Sequence, residues 1–494
     1  MSSLSRLSRS TLPTAPTTAG CPDGPAGIVH LGLGNFHRAH QAVYTARALE
    51  VESGPWGIHA FGNRSRSVVD AMRQQDLLYA VVEISPRGRR ASVPGVHTRV
   101  DVAATSPFAV VDAIAAPSTK IVTLTVTEHG YTYSPATQDL DLDAASVRHD
   151  LTRIDAPLTT IGQITTGLTQ RFANGGDPVT VVSCDNLGNN GALLRRLVTT
   201  FAINGPAASS SDFMQWLTDH VAFPSTMVDR IVPATSAAHR AAAAELLGVY
   251  DAVPVPAEPF SMWVMQDRFA AGRPRWDDAG AIFTEDVEAY ELLKLRLLNG
   301  THSLIAYLGV LAGASTIPEA VGVPYIEAAA RKLMRDEYLP TVRVPDGVDV
   351  DAYIEDLFSR FSNTELGHRT TQVGSDGSQK LPQRATQPAV THCEQGIVPH
   401  LICLTVAAFF ACVAPTNGVA NSLTREVNDP MRPTLEQHAA AVAGPRALVD
   451  SVFDRTSLLP QRLTEIGMFR QRVVELLEII EQRGVEAAVD EAMR

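Results

Sequence analysis

From residue 27 to about 275, short apolar runs alternate with stretches of helical period. GIVHLGLG (27–34), WGIHAFG (56–62), KIVTLTVTE (120–128) and PVTVVSC (178–184) read as strands, and SVVDAMRQQD (67–76) and GALLRRLVTTFAI (191–203) as the helices between them. Strands alternating with helices predict parallel pairing through crossovers, hence a Rossmann-type, doubly wound α/β domain. After about residue 285 strand-like runs almost vanish. Segments 288–313, 325–339, 352–363 and 473–492 carry helical period, which predicts a mostly α-helical second domain. GSDGSQKLPQRATQP (374–388) reads as a loop of turn formers and basic residues. The apolar run LICLTVAAFFACV (401–413) is too short to span a bilayer and reads as a buried helix. The expected organisation is a disordered tail over 1–26, a doubly wound α/β domain over 27–285 and a helical domain over 286–494.

A chain of 494 residues calls for two cores. A net charge of −12 without a concentrated basic face argues against a nucleic-acid partner, and no segment suits a membrane. The five cysteines form no C-x-x-C pair, and their odd number does not suggest a disulfide framework, so a cytoplasmic protein is expected.

Gly32-Leu33-Gly34-Asn35-Phe36-His37 follows the first strand directly. The first glycine allows a tight turn, and the second lets backbone approach a pyrophosphate at a helix N-terminus. His37 stands where a third glycine is usual, and a plain strand-to-helix turn gives the same signature. Dinucleotide folds usually place an acid at the end of the second strand. This chain has Asn63-Arg64-Ser65-Arg66-Ser67, with no acid between Glu52 and Asp70. Arg64 and Ser65 suit a 2′-phosphate and equally a solvated basic turn. The cofactor is read as NAD or NADP, with a lean to NADP.

Lys294, Asn299 and His302 share one helical segment and, at 100° per residue, fall within an arc of about 140°. A lysine among Leu292, Leu293, Leu297 and Leu298 can lose solvation and serve as a base, although a snorkelling surface lysine is the commoner case. Ser183-Cys184-Asp185-Asn186, followed by Asn189 and Asn190, closes a strand at the edge where α/β enzymes place their sites. An asparagine there can donate to an alkoxide, and an Asx turn explains it as well. Glu128 closes another strand and is expected to face the same crevice. No Cys/His/Glu set suits zinc, so no metal is expected.

These residues resemble the polyol-specific long-chain dehydrogenase/reductase family. The likeness runs through GLGNFHRAHQAVYT (32–45), LTVTEHGY (124–131), VVSCDNLGNNG (181–191), FPSTMVDRIVPAT (223–235), EPFSMWVMQDRFAAGRP (258–274) and KLRLLNGTHSLIAYLG (294–309). It implies a metal-free NAD(P)-dependent dehydrogenase of a linear sugar derivative, monomeric or weakly oligomeric. It further implies Lys294 as base, Asn186 and Asn299 as the alkoxide-stabilising pair and His302 as orienting the hydroxyl. Asp229 and Lys380 match substrate-pocket positions. The segment from Gly367 to Gln372 departs from the mannitol enzymes by lacking their late arginine, and is similar to fructuronate reductases. His368, Arg369, Lys380 and Arg384 offer cationic donors for a uronate carboxylate, or anchor the loop. The leading substrate pair is D-mannonate/D-fructuronate, with D-mannitol/D-fructose close behind. A dinucleotide-binding sensor without catalysis is the rival, disfavoured because Lys294 and Asn299 are both present.

Overall fold

The computed structural model describes residues 4–12, 22, 24–135, 137–153, 155–205, 210–414 and 419–494. It divides into two compact units, Met1–Glu288 and Ala289–Arg494. In the first, strands β1 (Ile28–Leu31), β2 (Ile58–Gly62), β3 (His97–Val102), β4 (Ile121–Leu124), β5 (Val179–Ser183) and β6 (Val221–Ala222) form one sheet. Its order is β6-β5-β4-β1-β2-β3 and every pairing is parallel. Numbered along the chain this is the Rossmann order, and the direction of winding reverses between β1 and β4. Successive residues of β1 feed opposite faces: Ile28 joins Ile58, Ile121 and Val182 in one core, Val29 joins Val122, Leu124 and Val181 in the other. The carboxyl ends of β1 and β4 therefore meet at the crevice where α/β folds bind ligands.

Several expectations need correction. The apolar run 120–128 is a strand only to Leu124, and Glu128 opens a short 3-10 turn, Glu128–Tyr131, beyond it. The edge strand β3, HTRVDV, has only half its positions buried and gives no apolar run. The tail is not featureless in residues 4–12. Leu7 is fully buried and its amide donates to Tyr250 O at 2.8 Å.

The second unit is helical, as the change of period predicts. Helix His400–Val413 buries every residue from Leu401 to Val413. Among the described residues no helix is long and apolar enough to cross a membrane. The expected loop 374–388 is instead mostly helix. Only Ser375 and Asp376 separate helix Thr370–Gly374 from helix Gly377–Glu394, which carries Pro382 and Pro388 in its interior. The helical period over 473–492 is interrupted at Gly484, between Gly467–Arg483 and Val485–Ala492.

Candidate active site

At the end of β1 the chain must turn sharply beneath β4. Gly32 adopts φ +107°, and a Cβ there would lie 2.0 Å from Thr125 O, so only glycine fits. Its carbonyl accepts from Thr125 Oγ1 at 2.8 Å. Gly34 is the opposite case: a Cβ would meet nothing closer than Gly32 O at 3.8 Å. That open space borders the first-turn amides of Asn35, Phe36 and His37, which have no intrahelical partners. The Asn35 side chain is already engaged. Its amide donates to Pro233 O and Thr235 Oγ1 at 3.3 Å, and its Oδ1 accepts from Arg38 Nη2 at 2.6 Å.

His37, at the third-glycine position, lies flat on His30 of β1 with ring centroids 3.4 Å apart. Its Nε2 is 3.1 Å from Nε2 of His97. His30 in turn bonds Thr123 Oγ1 at 2.8 Å and reaches Gly32 O at 3.0 Å. Burial keeps all three neutral: His30 and His97 are pushed down to about 3, and His37 falls well below its usual value. Where most dinucleotide turns use a missing side chain for close helix–strand packing, this one uses a stacked imidazole pair.

Beyond β2, Arg64 and Ser65 are exposed, and among the described residues no carboxylate pairs with Arg64. Beyond β5, the polar cluster divides by role. Asp185 accepts from the amides of Val126 and Thr127 at 3.0 Å each and from Tyr131 Oη at 2.8 Å. It holds Thr127 at φ +67°, an unusual conformation for a β-branched residue, and so fixes the turn bearing Glu128, which is exposed. Asn190 is consumed as a clasp, donating to Thr226 O at 2.9 Å while accepting from Thr226 N at 2.9 Å. Asn186 and Asn189 are exposed at the carboxyl edge, and Asn189 Oδ1 accepts from Ser225 Oγ at 3.2 Å. Asp229 is buried at the end of strand Thr226–Asp229.

In the helical unit, Lys294–Gly300 is a π-helix that runs directly into the α-helix Thr301–Ala312. This alters the expected geometry. An i→i+5 turn sets residues five apart above one another, so Lys294 and Asn299 share a face more closely than α spacing allows. Gly300 permits the wider turn to pack, because a Cβ there would lie 2.6 Å from the Tyr338 ring. The π segment is fastened from outside. Arg296 donates to Thr341 Oγ1 at 2.8 Å, and Arg384 donates from Nη1 to Asn299 O at 2.9 Å and Ser303 Oγ at 2.8 Å. Lys294 is 9 % exposed. His302 Nε2 is buried without a hydrogen-bond partner. Burial first, then the neighbouring His368, Arg384, Arg360 and Lys380, push this imidazole well below its usual value. Among the described residues no group of three His, Cys, Asp or Glu side chains comes together as a metal site would need.

The mannitol dehydrogenase Rossmann-domain model matches residues 26–278, and the mannitol dehydrogenase C-terminal-domain model matches 286–480. The chain belongs to the mannitol dehydrogenase family. It is an oxidoreductase acting on CH–OH groups. It is 40% identical to D-mannonate oxidoreductase of Escherichia coli over 82% of this chain and 83% of that one. It is 35% identical to a mannitol 2-dehydrogenase of Aspergillus terreus over 93% and 91% of the two chains. The solved ternary complex of Pseudomonas fluorescens mannitol 2-dehydrogenase with NAD and D-mannitol superposes with a TM-score of 0.84 at 32% identity, over 99% of each chain.

Within this family member, two of the cations read from the sequence are spent on structure. Arg369 is exposed and paired with Glu426 at 2.6 Å, and Lys380 Nζ donates to Ser375 O at 2.6 Å and Val373 O at 3.3 Å, closing the preceding helix. Sequence reasoning missed the π-helix, the Tyr338 contact that Gly300 admits and the histidine stack beneath Gly32. The one available signal was His30, a polar residue inside an otherwise apolar strand.

Proposed function

We propose that this chain interconverts the secondary alcohol of a linear hexonate and the corresponding ketone with NAD(P), D-mannonate/D-fructuronate being the leading pair. The observation that carries the reading is the face shared by Lys294, Asn299 and His302, with a buried imidazole nitrogen unspent and cations around it. In the oxidative direction Lys294, unprotonated, takes the hydroxyl proton. His302 Nε2 orients that hydroxyl, and the amides of Asn186 and Asn299 donate to the oxygen as charge develops on it. Bound nicotinamide supplies the acceptor for the hydride leaving the same carbon. The open space over Gly34 and the first-turn amides fit a pyrophosphate, with Asn35 and Phe36 lining the turn. Arg64 and Ser65, exposed after β2, favour the 2′-phosphate of NADP. Asp229 and Glu128 lie on the same sheet-bearing unit and are assigned to substrate and cofactor, respectively. No proton or hydride step requires a metal.

The 35% identical mannitol 2-dehydrogenase makes D-mannitol/D-fructose the second reading. Initial rates with D-mannonate, D-mannitol, D-arabinitol and D-mannitol 1-phosphate, each with NAD and NADP, decide between them. The highest kcat/KM is expected with D-mannonate; a higher value with D-mannitol replaces the first reading by the second. Activity should survive EDTA, and a loss restored by zinc would overturn the metal-free mechanism.

A further inference from the structure

The helical unit gathers positive charge beside the Lys294–His302 segment. Arg384, Arg360 and Lys380 all act on His302, and the ring of His368 lies 5.6 Å from it. Arg369 and Lys380 are already engaged by Glu426 and by backbone carbonyls. Arg384 is different. Its Nη1 alone carries its hydrogen bonds, to Asn299 O and Ser303 Oγ. Among the described residues no carboxylate pairs with it, and Nε and Nη2 make no hydrogen bond yet are not sealed from solvent. Tyr307 and Tyr338 act on it electrostatically, and burial holds both protonated. Taking a guanidinium out of water without a counter-ion is costly, so such a group marks a place where an anion is expected to arrive.

We propose that Arg384 is the residue that recognises the carboxylate of a hexonate and separates it from the neutral hexitol. Nε and Nη2 form one edge of the planar fork, and that edge matches the two oxygens of a carboxylate. The other edge is anchored to the turn that carries Asn299 and leads into His302. The acid end of the substrate would thereby be set in register with the groups that act on its hydroxyl. The hydroxyl end of a hexitol at the same place gains no charge-assisted bond. Arg369, which the sequence offers for this task, belongs to a surface ion pair instead. The inference rests on the hexonate reading given above.

The test compares kcat/KM for D-mannonate and D-mannitol in the wild type and in R384Q, R384K and R369Q. R384Q should lower the mannonate value roughly 10- to 100-fold more than the mannitol value, because loosening the hold on the π-helix weakens both and only mannonate also loses a charge-assisted contact. R384K keeps the charge without the fork and should fall between; where R384Q does not fold, this variant carries the test. R369Q should leave the ratio unchanged. Equal losses for both substrates in R384Q would make Arg384 a clamp on the π-helix and overturn the inference, as would a wild-type ratio in R384K. A wild type that prefers D-mannonate while R384Q keeps that preference defeats the inference alone. A wild type that prefers D-mannitol defeats the hexonate reading, and the inference with it.

Discussion

Each unit buries histidine next to a sharp local feature, and the two clusters are built on different terms. In the sheet-bearing unit His37 stacks on His30 and bonds His97, and His30 bonds Thr123 and reaches the Gly32 carbonyl, so most of their polarity is used in holding a turn, although His37 Nδ1 is buried without a hydrogen-bond partner. In the helical unit His302 packs 5.1 Å from Phe361 and 5.6 Å from His368, yet its Nε2 has no partner. Arg384 repeats the contrast within one side chain, one nitrogen spent and two left over. Burial alone does not separate a packing histidine from a working one. An unbonded ring nitrogen does not separate them either, since His37 Nδ1 shares that state with His302 Nε2; the surroundings differ, stacked and bonded histidines beneath a turn in one case, the segment of Lys294 and Asn299 with arginines near it in the other. The first cluster should therefore govern stability and cofactor binding, and the second should govern turnover.

The largest test of that division is Lys294→Ala. Turnover should fall by at least about 100-fold, the lower range for a positioned base, while cofactor affinity measured by fluorescence titration stays near the wild-type value. Near-normal turnover would remove Lys294 from the mechanism. His37→Ala should do the reverse. It deletes the ring stacked on His30 and the hydrogen bond to His97 Nε2, which should cost roughly 2–3 kcal/mol in denaturant unfolding. Turnover per folded, cofactor-saturated molecule should change little. A large loss of turnover at unchanged stability would erase the distinction between the clusters.

Acid should expose the same difference. His30 and His97 are held down to about 3, so between about pH 6.5 and that value the unfolded chain binds protons that the folded chain refuses. Stability must then fall as pH falls. Each of the two histidines can contribute up to about 2 kcal/mol of loss between pH 7 and pH 5. Glu337 runs the other way. Burial raises it to about 7, so its carboxyl favours the folded state increasingly as pH drops from about 7 towards its unfolded value. Unfolding at pH 5 and 7 should show a net loss at pH 5, smaller in His97→Phe than in the wild type. A variant whose loss equals that of the wild type would mean that His97 is not neutral in the native state.

Much of the sheet was legible because strands buried on both faces leave mostly apolar runs, as in 28–31 and 179–183, broken only by His30, Thr180 and Ser183. The edge strand β3 was not, since half of HTRVDV faces outward. The misread loop is more instructive. Leu381, Ala385, Pro388, Ala389 and His392 are buried at i, i+4, i+7, i+8 and i+11, a helical period lying under Gly and Pro signals. Tertiary packing outweighed local propensity there. The candidate residues Lys294, Asn299 and His302 stand out in the sequence as a spacing, but the π turn that brings the first two together depends on contacts from Tyr338, Arg296 and Arg384, which no local pattern announces.

The smallest effect concerns the surface after β2, where neither cluster reaches. Arg64 and Ser65 are exposed and engage no carboxylate among the described residues, so altering them should disturb neither the histidine stack nor the Lys294 face. Arg64→Glu with Ser65→Asp places two acids where dinucleotide folds carry the residue that accepts from the adenosine ribose. They would repel a 2′-phosphate and accept from free ribose hydroxyls, and both changes favour NAD. If Arg64 holds that phosphate, the NADP-to-NAD ratio of kcat/KM should drop by about 10-fold, one charge-assisted contact near the surface. The ranking of D-mannonate over D-mannitol should not move, because Arg384 lies in the other unit. An unchanged cofactor ratio would return Arg64 to a solvated turn and leave NAD as the better assignment; a changed substrate ranking would show that the two specificities are not separable.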